Sequence, residues 1–449
     1  MKLQRSSRIR WFLIFWIFVL SAAAFLDRVN ISIAGKSIAS EFHLSNTQLG
    51  YVFSAFLIGY AIFQTPGGRL ADRIGPRRVI AIGVIWWGIF TALTASVPAG
   101  VAGALVLFFA IRFLLGAGEA IIYPASNQFI ANWVPTQERG FANGCIFAGV
   151  GIGAGITPPL ITWIMIHHGW RSSFWISAGI GIAVGAVWFI AARDKPKQHP
   201  WVTASELATI EAGLTLGRNA IKDGAQPVPW GRILKSKDVL AVTLSYFTYG
   251  YASWIFFSWF FIYLAEVRGL NLRSSSHYAM LPFLAMAAGS PLGGIISDAL
   301  SRRFSKKTGR CVFSFVVMVL AAAFLASGAY VDSARLASVI LAGGAGALYL
   351  CQSCYWSVTA DIAGRSSGSV SGFMNMGAQI GGAVTASLTP AIAARSGWAA
   401  SFLVAAALCA LGGVAWLTVN PHCSLAPPDE SALSTPGERA IDPAADFPS

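Results

Sequence analysis

Charged residues are scarce in this chain, and acidic residues are the scarcer of the two kinds. Only 11% of its 449 residues are Asp, Glu, Lys or Arg, whereas about 25% is usual in soluble domains. Hydrophobic residues make up 55%. This balance excludes an ordinary soluble domain and predicts a polytopic membrane protein. The net charge of +13 would point to nucleic acid in a soluble chain, so its distribution has to be considered.

The basic residues fall in alternate gaps between long apolar stretches. Of the 32 Lys and Arg residues, 24 lie on the side that carries both termini and six lie on the other side. The remaining two, Arg28 and Arg112, lie inside apolar stretches. Because cytoplasmic loops carry the excess of Lys and Arg, both termini are predicted to be cytoplasmic. We therefore expect a multi-pass protein of the cell (inner) membrane, surrounded by the lipid bilayer, with no nucleic-acid partner.

Cysteine and histidine give no sign of a cross-linked or metal-binding protein. Five of the six cysteines lie in or at the ends of apolar stretches, with no disulfide framework. The six histidines and the carboxylates show no metal-ligand spacing, and no nucleophile stands near a base in the sequence. The sequence therefore predicts no metal, no cofactor and no enzymatic activity.

The apolar stretches predict an all-α membrane protein with twelve transmembrane helices. Most of them exceed the ~20 residues that cross a bilayer. The predicted spans are 11–34, 48–70, 78–97, 101–123, 139–166, 172–193, 238–266, 277–299, 311–330, 335–361, 366–394 and 398–418. The domains follow as an N-terminal six-helix half (1–193), a cytoplasmic linker (194–237), a C-terminal six-helix half (238–420) and a disordered cytoplasmic tail (421–449).

The two halves carry an internal repeat. The segment from Gly68 to Asp72 recurs 226 residues later as Gly294 to Asp298. The six-residue pattern Gly-Trp-x-x-Ser-Phe, which begins at Gly169, recurs 228 residues later at Gly397. Landmarks at nearly one spacing predict two pseudo-symmetric halves in parallel orientation, with a binding site near the midplane between them.

The segment from Gly68 to Arg78 resembles the motif between helices 2 and 3 of the major facilitator superfamily (MFS). Gly68 and Gly75 are expected to permit a tight turn, and Asp72 can accept hydrogen bonds from the following arginines or from a neighbouring helix N-terminus. A gating role is predicted for Gly68, Asp72, Arg73, Gly75, Arg77, Asp298 and Arg139. The alternative is that these arginines only orient the chain in the membrane.

Within the superfamily the chain is similar to the anion:cation symporters, which include galactonate, hexuronate, glucarate and phthalate permeases. The similarity rests on the segments Leu26–Asn30 in helix 1, Ser45–Phe56 in helix 2, Arg112–Glu119 in helix 4 and Trp133–Gly140 after it. Helix 7 departs from the pattern, because Phe261 replaces the usual proline. We expect this replacement to remove a kink from helix 7.

Four charges stand inside the predicted spans away from their ends: Asp27, Arg28, Arg112 and Glu119. A charge at the middle of a membrane helix costs about 2.5–3.5 kcal/mol, so these residues are predicted to be functional, with a structural ion-pair network as the alternative. Arg112 is the first candidate for a substrate carboxylate and Arg28 the second, because guanidinium binds carboxylate through two parallel hydrogen bonds. The family resemblance implies that Asp27 and Glu119 form the proton-coupling pair.

Neutral polar and aromatic residues complete the predicted substrate site. Hydroxyl, amide and indole groups suit the hydroxyl groups of a sugar acid, although each could serve only hydrogen bonds between helices. The candidates are Tyr60, Ser353, Tyr355, Trp356, Asn375 and Gln379.

The sequence therefore predicts a monomeric secondary transporter that works by alternating access. It imports a small organic carboxylate together with protons, and a sugar acid such as an aldonate, uronate or aldarate is the expected substrate. The alternatives are an aromatic-acid (phthalate-like) permease, an efflux exporter of the same fold, or a membrane receptor without transport.

Overall fold

The computed structural model describes residues 8–135, 138–220, 229–363, 367–422 and 425. These ranges are almost entirely helical and contain no β-strand. Apart from residues 421, 422 and 425, the predicted tail (421–449) lies outside the described residues.

The N-terminal half consists of six helical elements. They are α1 (Ile9–Phe42), α2 (Asn46–Ile74), α3 (Pro76–Ser96), α4 (Ala104–Glu119), α5 (Ile122–Trp133) and α6 (Arg139–Ala191). The segment between the halves holds a 3-10 turn (Pro196–Gln198), α7 (Ala204–Ala220) and α8 (Trp230–Lys235). The C-terminal half contains α9 (Lys237–Ser258), α10 (Phe260–Ile262), α11 (Leu272–Arg303), α12 (Phe313–Tyr330), α13 (Ala334–Leu350), α14 (Gln352–Ala363) and α15 (Ser367–Thr418), with π-helical turns at Tyr263–Val267 and Lys307–Val312.

The two longest elements, α6 and α15, each contain two of the predicted spans. The chain direction changes at single glycines, Gly169 (φ 78°, ψ 166°) and Gly397 (φ 81°, ψ 163°). Only glycine adopts such angles readily, which explains why Gly-Trp begins both copies of the repeated sequence. With α4–α5, α9–α10 and α13–α14 each forming one interrupted span, the described helices give the predicted twelve spans in two pseudo-symmetric halves.

The fourth span is longer than predicted and is interrupted next to Glu119. It continues beyond residue 123 to Trp133, and α4 ends at Glu119 before α5 begins at Ile122. Pro124 explains the interruption, because proline lacks the N–H that would bond to the carbonyl of Ala120 and its ring crowds that carbonyl. Glu119 therefore occupies the last residue of a helical segment in the middle of the protein.

The expectation of an unkinked helix 7 is wrong. The axis bends by 50° between α9 and the α10 segment, at Trp259, whose φ of −119° departs from the usual helical value near −63°. The carbonyl of Ser258 accepts a hydrogen bond from the Ser32 hydroxyl at 2.7 Å, and the Trp259 indole N–H donates to the carbonyl of Ala386 at 3.0 Å. These bonds from neighbouring helices stabilise the bend without proline.

The two halves meet through α2 with α15 and α6 with α11, while α1 contacts α9 and α10. Large apolar side chains cover the outside of the bundle, among them Val106, Ile190 and Ile295, each at least 66% exposed. An apolar exterior around a core that holds charges is the arrangement expected in a bilayer. We call the end that carries residues 194–237 the linker face and the opposite end the far face.

Candidate functional site

The four predicted intramembrane charges come together in the middle of the N-terminal half. Asp27 and Arg28 are on α1, and Arg112 and Glu119 are on α4. All four are at most 5% exposed. Two acidic and two basic groups balance formally, so the cluster can exist in a water-poor interior, where a single uncompensated charge would be costly.

Arg28 and Glu119 form a buried ion pair. The Arg28 Nε donates to Glu119 Oε1 at 2.5 Å, and Arg28 Nη2 and Glu119 Oε2 have no hydrogen-bond partner. The guanidinium carbon lies 4.5 Å from the ring centroid of Phe25 and 4.7 Å from that of Tyr60. Tyr60, a predicted site residue, therefore contacts Arg28 by its ring face, a favourable position for a cation.

Asp27 is held by a residue that was not predicted from the sequence. Its Oδ2 accepts a hydrogen bond from the Thr91 hydroxyl of α3 at 2.9 Å, while Oδ1 has no hydrogen-bond partner. Thr91 and Thr94 are both fully buried in α3. A hydroxyl in an apolar span is a weak signal, because it can also bond to its own backbone, as Thr94 does with the carbonyl of Phe90.

Arg112 is a buried cation whose counter-charges, Asp27 and Glu119, act on it without a direct ion pair among the described residues. Only 2% of it is exposed, and its Nε and Nη1 have no hydrogen-bond partner. It forms no salt bridge within the part of the chain that the structure describes. The guanidinium carbon lies 4.9 Å from the ring centroid of Phe56. A desolvated guanidinium with unused donors is a strong binding group for an anion.

Arg28 and Arg112 line the same cavity between the two halves. The cavity is narrow, with room of about 10 Å³, and its wall is formed by Arg28, Arg112, Ile31, Phe53, Phe56, Trp254, Phe257 and Ser258. The last three belong to α9 of the C-terminal half. The aromatic lining was not predicted, although aromatic pairs at i and i+3, Phe53 with Phe56 and Trp254 with Phe257, were visible in the sequence.

The predicted residues of the C-terminal half do not line this cavity. The Tyr355 hydroxyl bonds to the Ser245 hydroxyl at 2.8 Å, and its ring packs against Trp416 inside the C-terminal half. Trp356 packs instead against Phe147 of the N-terminal half, with ring centroids 5.9 Å apart. The Trp356 Nε1, the Ser353 Oγ and the Gln379 Oε1 are buried without a hydrogen-bond partner, and Asn375 is half-buried.

The motif between α2 and α3 turns at one residue. Gly68 and Asp72 belong to α2, so the expected turn at Gly68 is absent, and only Gly75 (φ 88°) connects the two helices. A Cβ at Gly75 would lie 2.6 Å from the Asp194 carboxylate. That carboxylate accepts from the backbone N–H of Arg77 at 2.9 Å, and the Arg77 side chain donates to the carbonyl of Phe189.

Among the side chains that the structure describes, the other residues of the predicted gating set show no contact that supports a gating role. Arg73 and Asp298 are exposed near the linker face. The side chains of Asp72 and Arg139 lie outside the described part of the structure.

The halves are joined by hydrogen bonds on the far-face side of the cavity. The Ser54 hydroxyl of α2 lies 2.6 Å from both the Ala383 carbonyl and the Ser387 hydroxyl of α15. Nearer the far face, the Asn46 side-chain amide donates to Glu266 at 3.3 Å. Together with the bond from Ser32 to Ser258, these contacts hold the two halves together on the far-face side.

Comparison with known proteins agrees with this architecture. The sequence profile of the Major Facilitator Superfamily matches residues 17–386 and 357–443. The chain belongs to this superfamily. It is 33% identical to a probable sulfoacetate transporter of Cupriavidus necator, over 91% of this chain and 93% of that protein. It is 32% identical to a probable galactarate/D-glucarate transporter of Bacillus subtilis (82% of each chain) and 30% identical to the hexuronate transporter of that organism (90% and 92%).

Solved structures of the superfamily share the fold. A bacterial homologue of the human lysosomal transporter Spinster, inward-facing and occupied, superposes with a TM-score of 0.72 at 16% identity, covering 92% of this chain and 97% of that one. The D-xylose–proton symporter gives 0.71, also at 16% identity, covering 92% and 98%. The predicted MFS fold and the similarity to the anion:cation symporters are thus confirmed. The protein is a membrane-spanning transporter and not an enzyme.

Proposed function

We propose that the protein is a proton-coupled symporter of a small organic anion, bound in the cavity beside Arg112. The observation that carries the proposal is the buried Arg112 guanidinium, which lines the cavity with unused donors and forms no direct salt bridge to any described residue. The relatives named for sulfoacetate, galactarate, D-glucarate and hexuronate support it, because each of these compounds is an organic acid. A carboxylate of a sugar acid remains the expected ligand.

Proton coupling follows from the ion pair of Arg28 with Glu119. While Glu119 is ionised, it occupies Arg28 Nε. Protonation of Glu119 would remove this charge and leave Arg28 available to the substrate anion. Asp27, which has one oxygen without a partner, is the second proton carrier. Proton loading and anion binding then favour each other, which is the requirement for symport.

Alternating access would use the contacts between the halves. We assign the linker face to the cytoplasm, since most Lys and Arg residues lie on that side. The hydrogen bonds at Ser32, Ser54 and Asn46 would then close the periplasmic side and separate during substrate entry. In this proposal residues 1–193 and 238–420 rock as two units connected by 194–237, and the protein acts as a monomer.

An aromatic-acid permease is the second candidate function. The cavity wall contains four aromatic side chains, Phe53, Phe56, Trp254 and Phe257, and few hydroxyl groups. Such a wall packs well against a flat apolar ring that carries a carboxylate. The aromatic wall therefore supports a phthalate-like substrate. A sugar acid lacks the corresponding support, because the predicted polar residues of the C-terminal half do not line the cavity.

A thermal-shift screen with purified protein tests both candidates. A ligand at 100 times its Kd stabilises the folded state by about 2.7 kcal/mol, which is readily detected. We expect stabilisation by organic acids of one class, loss of the effect in Arg112→Ala, and uptake of the same acid into proteoliposomes driven by an inward proton gradient. Stabilisation by neutral sugars or by cations, with no response to acids, would contradict the proposal.

A further inference from the structure

Resting on this proposed function, we infer that the cavity takes a dianion, one acidic group at Arg112 and the other at Arg28. Both guanidinium groups line the one cavity. Their central carbons lie 4.9 Å and 5.3 Å from the centroid of the same Phe56 ring, so both guanidinium groups lie beside this one ring.

Each arginine has donors to spare in the described structure. Arg112 has two nitrogens without a partner, Nε and Nη1. Arg28 uses Nε for Glu119, and its Nη2 has no partner. A guanidinium carries five N–H donors, so Arg28 has enough of them to hold an acidic group of the ligand once Glu119 is protonated. The cavity therefore contains two anion-binding groups.

The charges of the cluster point to the same ligand. With Asp27 and Glu119 ionised, the four side chains sum to zero. With both carboxylates protonated, the two arginines leave a charge of +2 in a buried site, which is costly without anions. A dianion restores neutrality, whereas a monoanion leaves one positive charge. Transport of a dianion with two protons would then move no net charge across the membrane.

The wall of the cavity selects for charge more than for hydroxyl groups. Apart from the two arginines and Ser258, its residues are aromatic or aliphatic. The Ser258 carbonyl is already occupied by the Ser32 hydroxyl. Two acidic groups on a compact skeleton, aliphatic or aromatic, match this wall better than a polyhydroxylated chain with one carboxylate.

Matched acid pairs test the inference directly. Succinate and succinamate, and phthalate and phthalamate, have nearly the same shape but differ by one charge. We expect the diacid of the pair that binds to have a Kd lower by roughly tenfold or more, as for a hydrogen-bonded charge. In Arg28→Gln the preference should fall below about threefold, since the monoamide still binds at Arg112.

A second measurement does not depend on any variant. Uptake of the diacid into proteoliposomes should be stimulated by a pH gradient and unaffected by a potassium-diffusion potential. Equal affinity for the diacid and the monoamide would overturn the dianion inference, and so would uptake driven by the membrane potential. Either result leaves the proposed organic-anion symport intact. If neither member of any pair binds or enters, and neutral compounds bind instead, the dianion and the proposed function both fail.

Discussion

Arg28 on α1 is joined to Glu119 on α4 by a hydrogen bond of 2.5 Å between Nε and Oε1. Both side chains are buried, and each keeps one polar atom without a partner. Breaking such a pair by removing one member leaves a buried charge, typically at a cost of 3–5 kcal/mol. If the pair separates, a proton neutralises Glu119 and a bound anion neutralises Arg28. This contact is therefore the natural link between the proton and the substrate.

Arg112 is expected to be sensitive even to a conservative replacement. In Arg112→Lys the charge is kept but the planar fork of donors is lost, so we predict that the Kd for the transported acid rises about tenfold or more. Calorimetric titration of the purified variant measures this change. Arg171→Lys, at a pair with Glu41 near the far face, is the control and should bind like the unmodified protein. Equal affinities of the two variants would remove Arg112 as the anchor.

Thr91 should control the behaviour of Asp27. Thr91→Val keeps the shape and removes the donor to Asp27 Oδ2, an interaction of about 1.5–3 kcal/mol for a charged acceptor. We predict an altered pH dependence of uptake, with the Km for the acid little changed, because Thr91 does not line the cavity. Thr91→Ser retains a hydroxyl and should restore the original pH profile. If Val and Ser variants have the same profile, the hydrogen bond is only structural.

Gly50 permits the close approach of α2 to α15 on the far-face side. A Cβ there would lie 2.4 Å from the Ala386 carbonyl oxygen. Gly50→Ala should therefore push the halves apart and favour opening at the far face. Spin labels at positions 43 and 267, which are exposed beside the Asn46–Glu266 contact, would report a longer distance by pulsed electron resonance. Gly144→Ala, where a Cβ meets nothing within 4 Å, should leave the distance unchanged. An unchanged distance in Gly50→Ala contradicts this reading of the contact.

We predict that the stability of the folded protein depends on pH through His199, which lies in the segment between the halves. Burial lowers the pKa of His199 below its ordinary 6.5. Its Nε2 donates to the Ala191 carbonyl at 2.9 Å, and its Nδ1 accepts from the Trp201 N–H, which requires the neutral ring. Since the unfolded chain binds the proton first, the stabilisation is complete above about pH 6.5 and is lost as the pH falls through the folded-state pKa.

Melting curves at about pH 7.5 and pH 5.5, on either side of the ordinary histidine pKa, test this point. The melting temperature of the unmodified protein should fall more on acidification than that of His199→Asn. His422→Asn, at an exposed histidine, is the control and should behave like the unmodified protein. Identical falls in the His199 variant and the unmodified protein would show that the pKa of His199 is the same in the folded and the unfolded state.

Much of the fold was predictable because its determinants are local. Long apolar stretches and alternating basic loops indicate the twelve spans, and the repeated Gly-Trp pairs mark the turns at Gly169 and Gly397. Pro124 was a visible signal for the break after Glu119, but proline alone does not decide such a break, since Pro66 and Pro291 lie inside continuous helices. The bend at Trp259 was not predictable, because bonds from α1 and towards α15 stabilise it, and such contacts exist only in the folded bundle.

The candidate site was predictable only in its charged part. Asp27, Arg28, Arg112 and Glu119 stand out because charge in a membrane span is costly. Neutral residues carry no such signal: Thr91 contacts the cluster, whereas Tyr355 turns into its own half. Which neutral side chains face the cavity depends on helix rotation, and pattern alone leaves that open.

Glu119→Gln provides the most direct test of the central claim that protons are coupled to anion transport. The amide keeps the size of the side chain but neither carries nor releases a proton. Counterflow of the labelled acid, which needs no gradient, and accumulation against a gradient under an inward pH difference are measured in the same proteoliposomes. The account predicts that counterflow persists while pH-driven accumulation is lost. Accumulation equal to that of the unmodified protein would contradict it.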